Sequence, residues 1–492
     1  MTNYKEIASH IDTSINKIEI NDPILLKIGK LADEQNLKVY AIGGYVRDYF
    51  LDRDRKDIDC TVLGDPIDFA KKVAKSFNTK TVVFENFRTA MVPVGEYQCE
   101  FVGTRKELYT EGSRNPIVTE GTFDDDIKRR DFTINTLAAS INHSTMGELV
   151  DMFGGLVDLK NGILRTPLEP ATTYSDDPLR MMRAARFAAQ LGFYIDEDSM
   201  EAISQMAERI EIISKERISD EFMKIINSDN PATGLGILFK TGIMKYIFPE
   251  LQACEGVDVR NEGDKIHAHK DVFWHSLRVL NNISQKTDNT WLRFAALVHD
   301  IAKPITKKFV PGTGWTFHGH EEIGARMMKK IFRRMKFPMN HLAYVEKLVR
   351  LHQRPMVLVD EEVSDSAVRR LAAKAGDSLD DLFTLVRADI TTKNQELEKK
   401  YKNNYEIVFA KVKEVQEKDK LREFQSPVRG EEIMEICRLK PCRAVGVIKN
   451  NIEEAILEGK IHNDYEEAKL FFISNKEAWL AEISDDYIVF EE

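Results

Sequence analysis

No stretch of this sequence approaches the roughly 18 consecutive apolar residues that cross a bilayer. The opening residues, MTNYKEIASHIDTSINKIEI, lack a basic start followed by an apolar core. The expectation is a soluble, cytoplasmic protein with no membrane partner. Cysteine is scarce: the five residues Cys60, Cys99, Cys254, Cys437 and Cys442 are odd in number and show no CxxC spacing, which argues against a disulfide framework, a zinc finger or a dithiol redox centre. Gly, Pro and Ser nowhere gather into a long low-complexity stretch, so disorder is a minor theme. An excess of positive charge is missing too. At a net charge of −10 the chain cannot grip nucleic acid by a global field, and any phosphate backbone must meet a local patch of Lys and Arg. The acidic balance is equally compatible with clustered carboxylates that hold divalent metal.

What remains is ordinary globular composition, 43% hydrophobic and 30% charged over 492 residues, enough for about three domains or a head followed by a helical array. Asp22 is placed to cap a helix through ILLKIGKLADEQ, and KVYAIGG reads as a strand ending in two glycines. DIDCTVLG, TVVFE, TAMVPVG and YQCEFVG alternate as further strands, with the helical PIDFAKKVAKSF between the first two. From Asp176 onward strand signals nearly vanish and apolar residues recur at three and four. The predicted class is α+β: a mixed-sheet head over 1–165, a helical neck over 166–255, a His-rich helical domain over 256–395 and a helical tail over 396–492. Within the tail, KNQELEKKYKNNYEIVFAKVKEVQEKDKLREF reads as a solvated connecting helix, followed by two helices around a turn. The sequence carries no signal for an oligomeric state.

Chemistry concentrates in the head. Gly43 and Gly44 precede a predicted helix, where bare backbone and the positive end of a helix suit a phosphate. Asp57 and Asp59 flank Ile58 on a strand, so both carboxylates share one face and repel unless cations lie between them. Two magnesium ions there can activate a hydroxyl and neutralise a triphosphate. Glu100, on a later strand, supplies a third ligand if its strand closes beside that pair. Arg129, Arg130, Asp131 and Asn135 gather in RRDFTIN at a predicted helix start, with guanidinium groups for phosphate and Asp131 and Asn135 for a ribose hydroxyl. Each element alone also has a plain structural reading: a tight turn, surface polarity, an outward strand residue, a salt-bridged helix end.

Taken in order, GGYVRD with DID, RRDFTINTLA, DDPLRMMRAARFAAQLGF and KERISDEFMKI resemble the class II tRNA nucleotidyltransferase and bacterial poly(A) polymerase family over about residues 35–250. The resemblance implies that Asp57 and Asp59 are the catalytic metal-binding pair. It also implies that Gly43, Gly44, Arg47 and Asp48 line the nucleotide phosphates, and that Arg129, Asp131 and Asn135 contact ribose and phosphate. In DDPLR, Asp177 and Arg180 stand three apart at a predicted helix start, on one face. Cytosine and adenine each set an amine donor beside a ring-nitrogen acceptor, which suits Asp accepting and Arg donating; uracil and guanine offer a carbonyl instead. The family's usual Glu-Asp is Asp176-Asp177 here. Arg183 and Arg186 extend a row for phosphate contacts, or pair with Glu216 or Glu221. KERISDEFMKI is given a bracing role only.

His275, His299-Asp300, His318, His320, His352 and Asp389 combine imidazole and carboxylate as a divalent metal requires. The order H, HD, D, with HDIAKP, resembles an HD-superfamily metal phosphohydrolase over about 265–390. That implies His275, His299, Asp300 and Asp389 as ligands of a divalent transition metal, with His320 and His352 for a second metal or a substrate phosphate. The expected function is transfer of CMP and AMP from CTP and ATP to a tRNA 3′ end, with Mg2+ at the head. The alternatives are a poly(A) polymerase, an enzyme adding only CC or only A, and a phosphohydrolase with a non-catalytic RNA-binding head. TVVFENFRTAMV lacks the GRRF-like stretch usual in poly(A) polymerases, which favours the first reading.

Overall fold

The computed structural model describes residues 10–108, 117–256, 259–262, 265–268, 271–360, 365–392, 394–419 and 426–483. By their internal contacts the residues form two compact units. The first comprises Met1–Val257, Asp271–Leu277 and Ile331–Phe337, and the second Asp258–Lys270, Arg278–Lys330 and Pro338–Glu492.

The first unit opens on the predicted capped helix, Pro23–Glu34, whose N-terminal Ile24 amide donates to the Asp22 carboxylate at 2.8 Å. The strands follow as β1 (Lys38–Ile42), β2 (Asp57–Leu63), β3 (Val82–Phe84), β4 (Thr89–Val94), β5 (Tyr97–Gly103), β6 (Arg105–Leu108), β7 (Ile117–Glu120), β8 (Ala138–Ser140) and β9 (Leu149–Val150). Seven of these form one mixed sheet in the order β3-β4-β5-β2-β1-β8-β9, while β6 and β7 make a separate antiparallel hairpin. Within the large sheet β2 and β5 are parallel, β1 and β4 antiparallel to their neighbours.

Alternation decides which face is filled. Ile58, Cys60, Val62, Ala90, Val92, Cys99 and Phe101 are all fully buried on one face. The helices Pro23–Glu34 and Pro66–Ser76 cover this face, with Phe69 meeting Phe101 edge to face at 5.5 Å. The opposite face carries Asp57, Asp59 and Glu100, and residues of the following helices complete the site above it.

Two local expectations change. RRDFTIN is not a helix start: Arg129 closes the short helix Phe123–Lys128, and Thr133–Asn135 form a single 3-10 turn before β8. The reason is tertiary bonding, since the Thr133 hydroxyl donates to Asp158 at 2.7 Å and the Asn135 amide to Asp131 at 3.0 Å. Nor does Asp177 sit on the helix that follows it. It lies between the helix Pro170–Asp176 and the helix Leu179–Leu191, held extended ahead of Pro178.

The second unit is mainly helical, as expected, but includes the antiparallel pairs Val259–Glu262 with Lys265–Ala268 and Lys308–Val310 with Gly314–Thr316. The charged segment becomes the helix Gln395–Asp419, and it is only half solvated: Tyr405, Val408, Val412 and Val415 are buried along one stripe. The tail folds as Gly430–Cys437, Arg443–Leu457 and Tyr465–Glu482 around a core that includes Ile433, Leu439, Ile448, Ile452 and Phe472.

Candidate active site

Register assembles the acidic cluster. Asp59 stands opposite Glu100 across the parallel β2–β5 pair, and Asp57 opposite Gln98, so three carboxylates lie on one face with Ile58 fully buried beneath. Burial, together with the nearby Asp57 charge, pushes the Asp59 carboxyl up despite Arg130. Burial and then Asp59 push Glu100 up. Carboxylate oxygens on one face are the donor type that a hard divalent cation takes.

Gly43 caps the helix Gly44–Phe50 with φ +69°, and a Cβ there would come within 3.2 Å of an Arg130 nitrogen and 4.0 Å of an Asp59 oxygen. The conformation therefore favours glycine, and any side chain there would have to displace the Arg130 guanidinium. On that helix Arg47 forms a fork to Asp48, 2.8 Å at each oxygen, and donates to the Asn135 carbonyl at 2.8 Å. Asn135 passes the chain to Asp131, which Arg183 meets at 2.6 Å. Burial would raise the Asp131 carboxyl, but Arg183 and the Asn135 amide hold it well below the usual carboxylate range. Thus Arg47, Asp48, Asn135, Asp131 and Arg183 form one continuous network, and Arg47, Arg183 and Arg186 surround the Phe187 ring at 5.2, 5.4 and 4.5 Å.

Arg186 takes the alternative anticipated for it, an ion pair with Glu221 at 3.0 Å, whereas Arg183 chooses Asp131 over either Glu216 or Glu221. Arg129 and Arg130 are both oriented by Asp126, which is fully buried and contacts them at 2.5 and 3.5 Å.

Asp177 and Arg180 do not pair with each other. One Asp177 oxygen accepts from the Leu179 amide at 3.1 Å and the other from Arg217 at 3.0 Å. Arg180 is buried and donates to the carbonyls of Thr173 and Arg129, at 3.1 and 2.5 Å. Arg217, in KERISDEFMKI, was given only a bracing role by the sequence; its signal was position within that motif. Arg105, Phe84 and Phe87 also line the site and carry no sequence signal beyond lying near Glu100.

Two cavities share Asp59, Glu100, Arg130, Asp131 and Arg183. One, about 530 Å³, includes Asp177, Arg180 and Arg217; the other, about 710 Å³, includes Gly43, Arg47, Asp57 and Arg186. A charged cleft of this size suits a nucleoside triphosphate.

In the second unit, His299, Asp300, His320 and His352 are buried together. Asp300 lies 3.2 Å from His299, 3.2 Å from His320 and 3.6 Å from His352, and Asp389 lies 3.5 Å from His299. The Nδ1 of each histidine is 2.7 or 2.8 Å from a backbone carbonyl, which can only accept, so each Nδ1 carries the proton and each Nε2 is left as the donor atom for a ligand. Burial would lower the His299 imidazole, yet Asp300 and Asp389 push it up to about 10, so without a cation its Nε2 also holds a proton, which a bound metal would displace. Three imidazole nitrogens with two carboxylates fit a divalent transition metal. His318 precedes the helix His320–Arg334 and is not in this cluster; His275 lies on the first turn of the helix Val272–Ser284, in the first unit.

Residues 39–165 match the family described as Poly A polymerase head domain, residues 192–255 that described as probable RNA and SrmB-binding site of polymerase A, and residues 272–380 the HD domain. The chain is 32% identical over 328 residues to the multifunctional CCA protein of Haemophilus influenzae, covering 64% of this chain and 74% of that protein. It is 31% identical over 357 residues to the A-adding tRNA nucleotidyltransferase of Deinococcus radiodurans, covering 71% and 75%. Its fold is that of the Bacillus stearothermophilus CCA-adding enzyme in complex with CTP, at a TM-score of 0.62 and 22% identity over 94% of this chain and all of that one.

Proposed function

The chain belongs to the tRNA nucleotidyltransferase and poly(A) polymerase family, and on that premise we propose that it completes a tRNA 3′ end by adding C and A residues from CTP and ATP. The observation that carries the chemistry is the Asp57, Asp59 and Glu100 face beside an arginine-lined cleft. In each addition the RNA 3′ oxygen attacks the α-phosphorus of the nucleotide, a new P–O bond forms, the α–β bridge breaks and pyrophosphate leaves. Asp57 and Asp59, with Glu100, would hold Mg2+, which when bound would lower the barrier to hydroxyl attack and offset triphosphate charge. Gly43, Gly44, Arg47 and Asp48 line the phosphates, Arg129, Arg130, Asp131 and Asn135 the ribose and phosphate, and Arg183 and Arg186 sustain the positive wall.

Base choice falls to Asp177 and Arg180. Both use part of their hydrogen-bonding capacity inside the protein, on Arg217 and the Leu179 amide and on two carbonyls, and both line the cavity. The remaining Asp177 acceptor sites and Arg180 N–H groups are the ones that would read a cytosine or adenine edge. Addition that stops after CCA on a tRNA lacking it supports the reading; unlimited A addition to any RNA removes it. One specific observation favours a narrower second reading, addition of the terminal A alone: the Deinococcus radiodurans relative bears that name at 31% identity, against 32% for the Haemophilus influenzae CCA protein.

For the second unit we propose a metal-dependent phosphohydrolase centre held by His299, Asp300 and Asp389, with His320 and His352 serving a second metal or a phosphate. Hydrolysis of a phosphomonoester supplied with Ni2+, Co2+ or Mn2+, and lost in His299→Ala with Asp300→Ala, is the test.

A further inference from the structure

The active face of the sheet continues outward past the carboxylates. In register, Asp59, Glu100, Met91 and Val82 form one transverse row over β2, β5, β4 and β3, and Thr61, Val102, Thr89 and Phe84 form the next. Partners in register point to the same face, so the second row floors the cavity that holds Asp177 and Arg180. At strand spacings of about 4.8 Å this floor runs roughly 14 Å, from Thr61 on the catalytic strand to Phe84 at the sheet edge. Phe84 is 45% exposed there, and Phe87, one turn on, is 56% exposed.

Two exposed phenyl rings at the rim of a polar cavity cost hydrophobic free energy, and the backbone around them is fixed. The Phe87 carbonyl accepts from Arg105 at 3.0 Å and from the Thr89 hydroxyl at 3.2 Å, and Arg88, in the left-handed region at φ 48°, is anchored to Glu120 at 2.8 Å. The rings are thus presented, not left over from a loose loop. Arg105 also lines the cavity, adding a cation beside them.

We propose that Phe84 and Phe87 form a stacking platform for an unpaired base at the 3′ end of the acceptor RNA. The inference rests on the proposed function and adds to it the acceptor-side contact. The incoming base is assigned to Asp177 and Arg180, on the wall contributed by the helical neck. The acceptor hydroxyl must reach Asp57, Asp59 and Glu100, so its own base lies on the sheet side of the same cavity. Every base offers a π-face, which makes stacking tolerant of an acceptor whose terminal base changes with each addition. Arg105 meets the accompanying phosphate.

The experiment uses the full-length protein and an RNA hairpin with a three-nucleotide 3′ overhang ending in 2-aminopurine, whose fluorescence falls on stacking. Wild type quenches the probe on binding. Phe84→Ala with Phe87→Ala loses the quenching and binds the overhang hairpin about tenfold more weakly, a loss within the range for stacked bases. Binding to a blunt hairpin is unchanged, and Phe87→Trp retains quenching. In steady-state addition the double variant raises KM for the hairpin about tenfold and leaves KM for CTP within twofold. Unchanged quenching and hairpin affinity in the double variant overturns the platform, as does a rise in KM for CTP instead of the hairpin. If wild type quenches the probe, the variant does not, and no nucleotide is added by either, the platform stands and the proposed function falls.

Discussion

At the scale of single residues, Asp131 is the most consequential buried charge of the head. Its depressed carboxyl contributes stability that is complete above the unfolded value near pH 4 and is lost as pH falls further towards the folded value. Asp131→Asn leaves Arg183 without its carboxylate and should cost about 3–5 kcal/mol at pH 7, with the gap to wild type narrowing below about pH 4. Urea unfolding of both proteins across pH 3–7 checks this; a pH-independent gap contradicts it. Base choice is also a residue-scale matter. Asp177→Ala removes the acceptor for the exocyclic amine, and use of UTP relative to CTP should rise about tenfold or more in single-turnover competition, as expected for a lost base contact. The acidic pair was legible in the sequence because strand alternation fixes which face a DxD occupies. Arg217 was not, because its partnership with Asp177 spans 40 positions and rests on the packing of two helices.

Among the elements, the helix Leu179–Leu191 carries Arg180, Arg183 and Arg186, and its depth is set by Gly234. A Cβ at Gly234 would lie 2.7 Å from the Ile225 Cγ2, 3.0 Å from the Ala185 carbonyl and 3.1 Å from the Ala189 Cβ. Gly234→Ala must push that helix away and should cost about 1–3 kcal/mol, seen as a Tm lower by roughly 2–10 °C in calorimetry. An unchanged Tm would show that the contact is soft. Strands β1 to β5 and the helices among them follow from period-two and period-3.6 patterns that local sequence states directly. The turn at Thr133–Asn135 does not, because Asp158 and Asp131 claim its side chains; nor does the hairpin Lys308–Val310 with Gly314–Thr316, three residues per strand being too short for a period.

For the whole molecule, the sequence separates a sheet-bearing head from a helical remainder, whereas internal contacts group the helical stretch up to Val257 with the head in one compact unit. The segments 271–277 and 331–337, which belong by contact to the first unit, were not legible, since membership of a core depends on packing and not on local pattern. Two chemically distinct centres predict separable activities. His299→Ala with Asp300→Ala should abolish phosphoester hydrolysis and leave nucleotide addition within about twofold, measured on one preparation with both substrates; joint loss would tie the two centres together. The central claim concerns the Asp57 and Asp59 face, and the most direct measurement is product length on a gel. Purified protein with Mg2+, CTP and ATP is given tRNA ending before CCA. Wild type should extend it by CCA and stop, while Asp57→Ala and Asp59→Ala extend it by at least a thousandfold less. Extension that persists in either variant, or that continues into a poly(A) tail, contradicts the account.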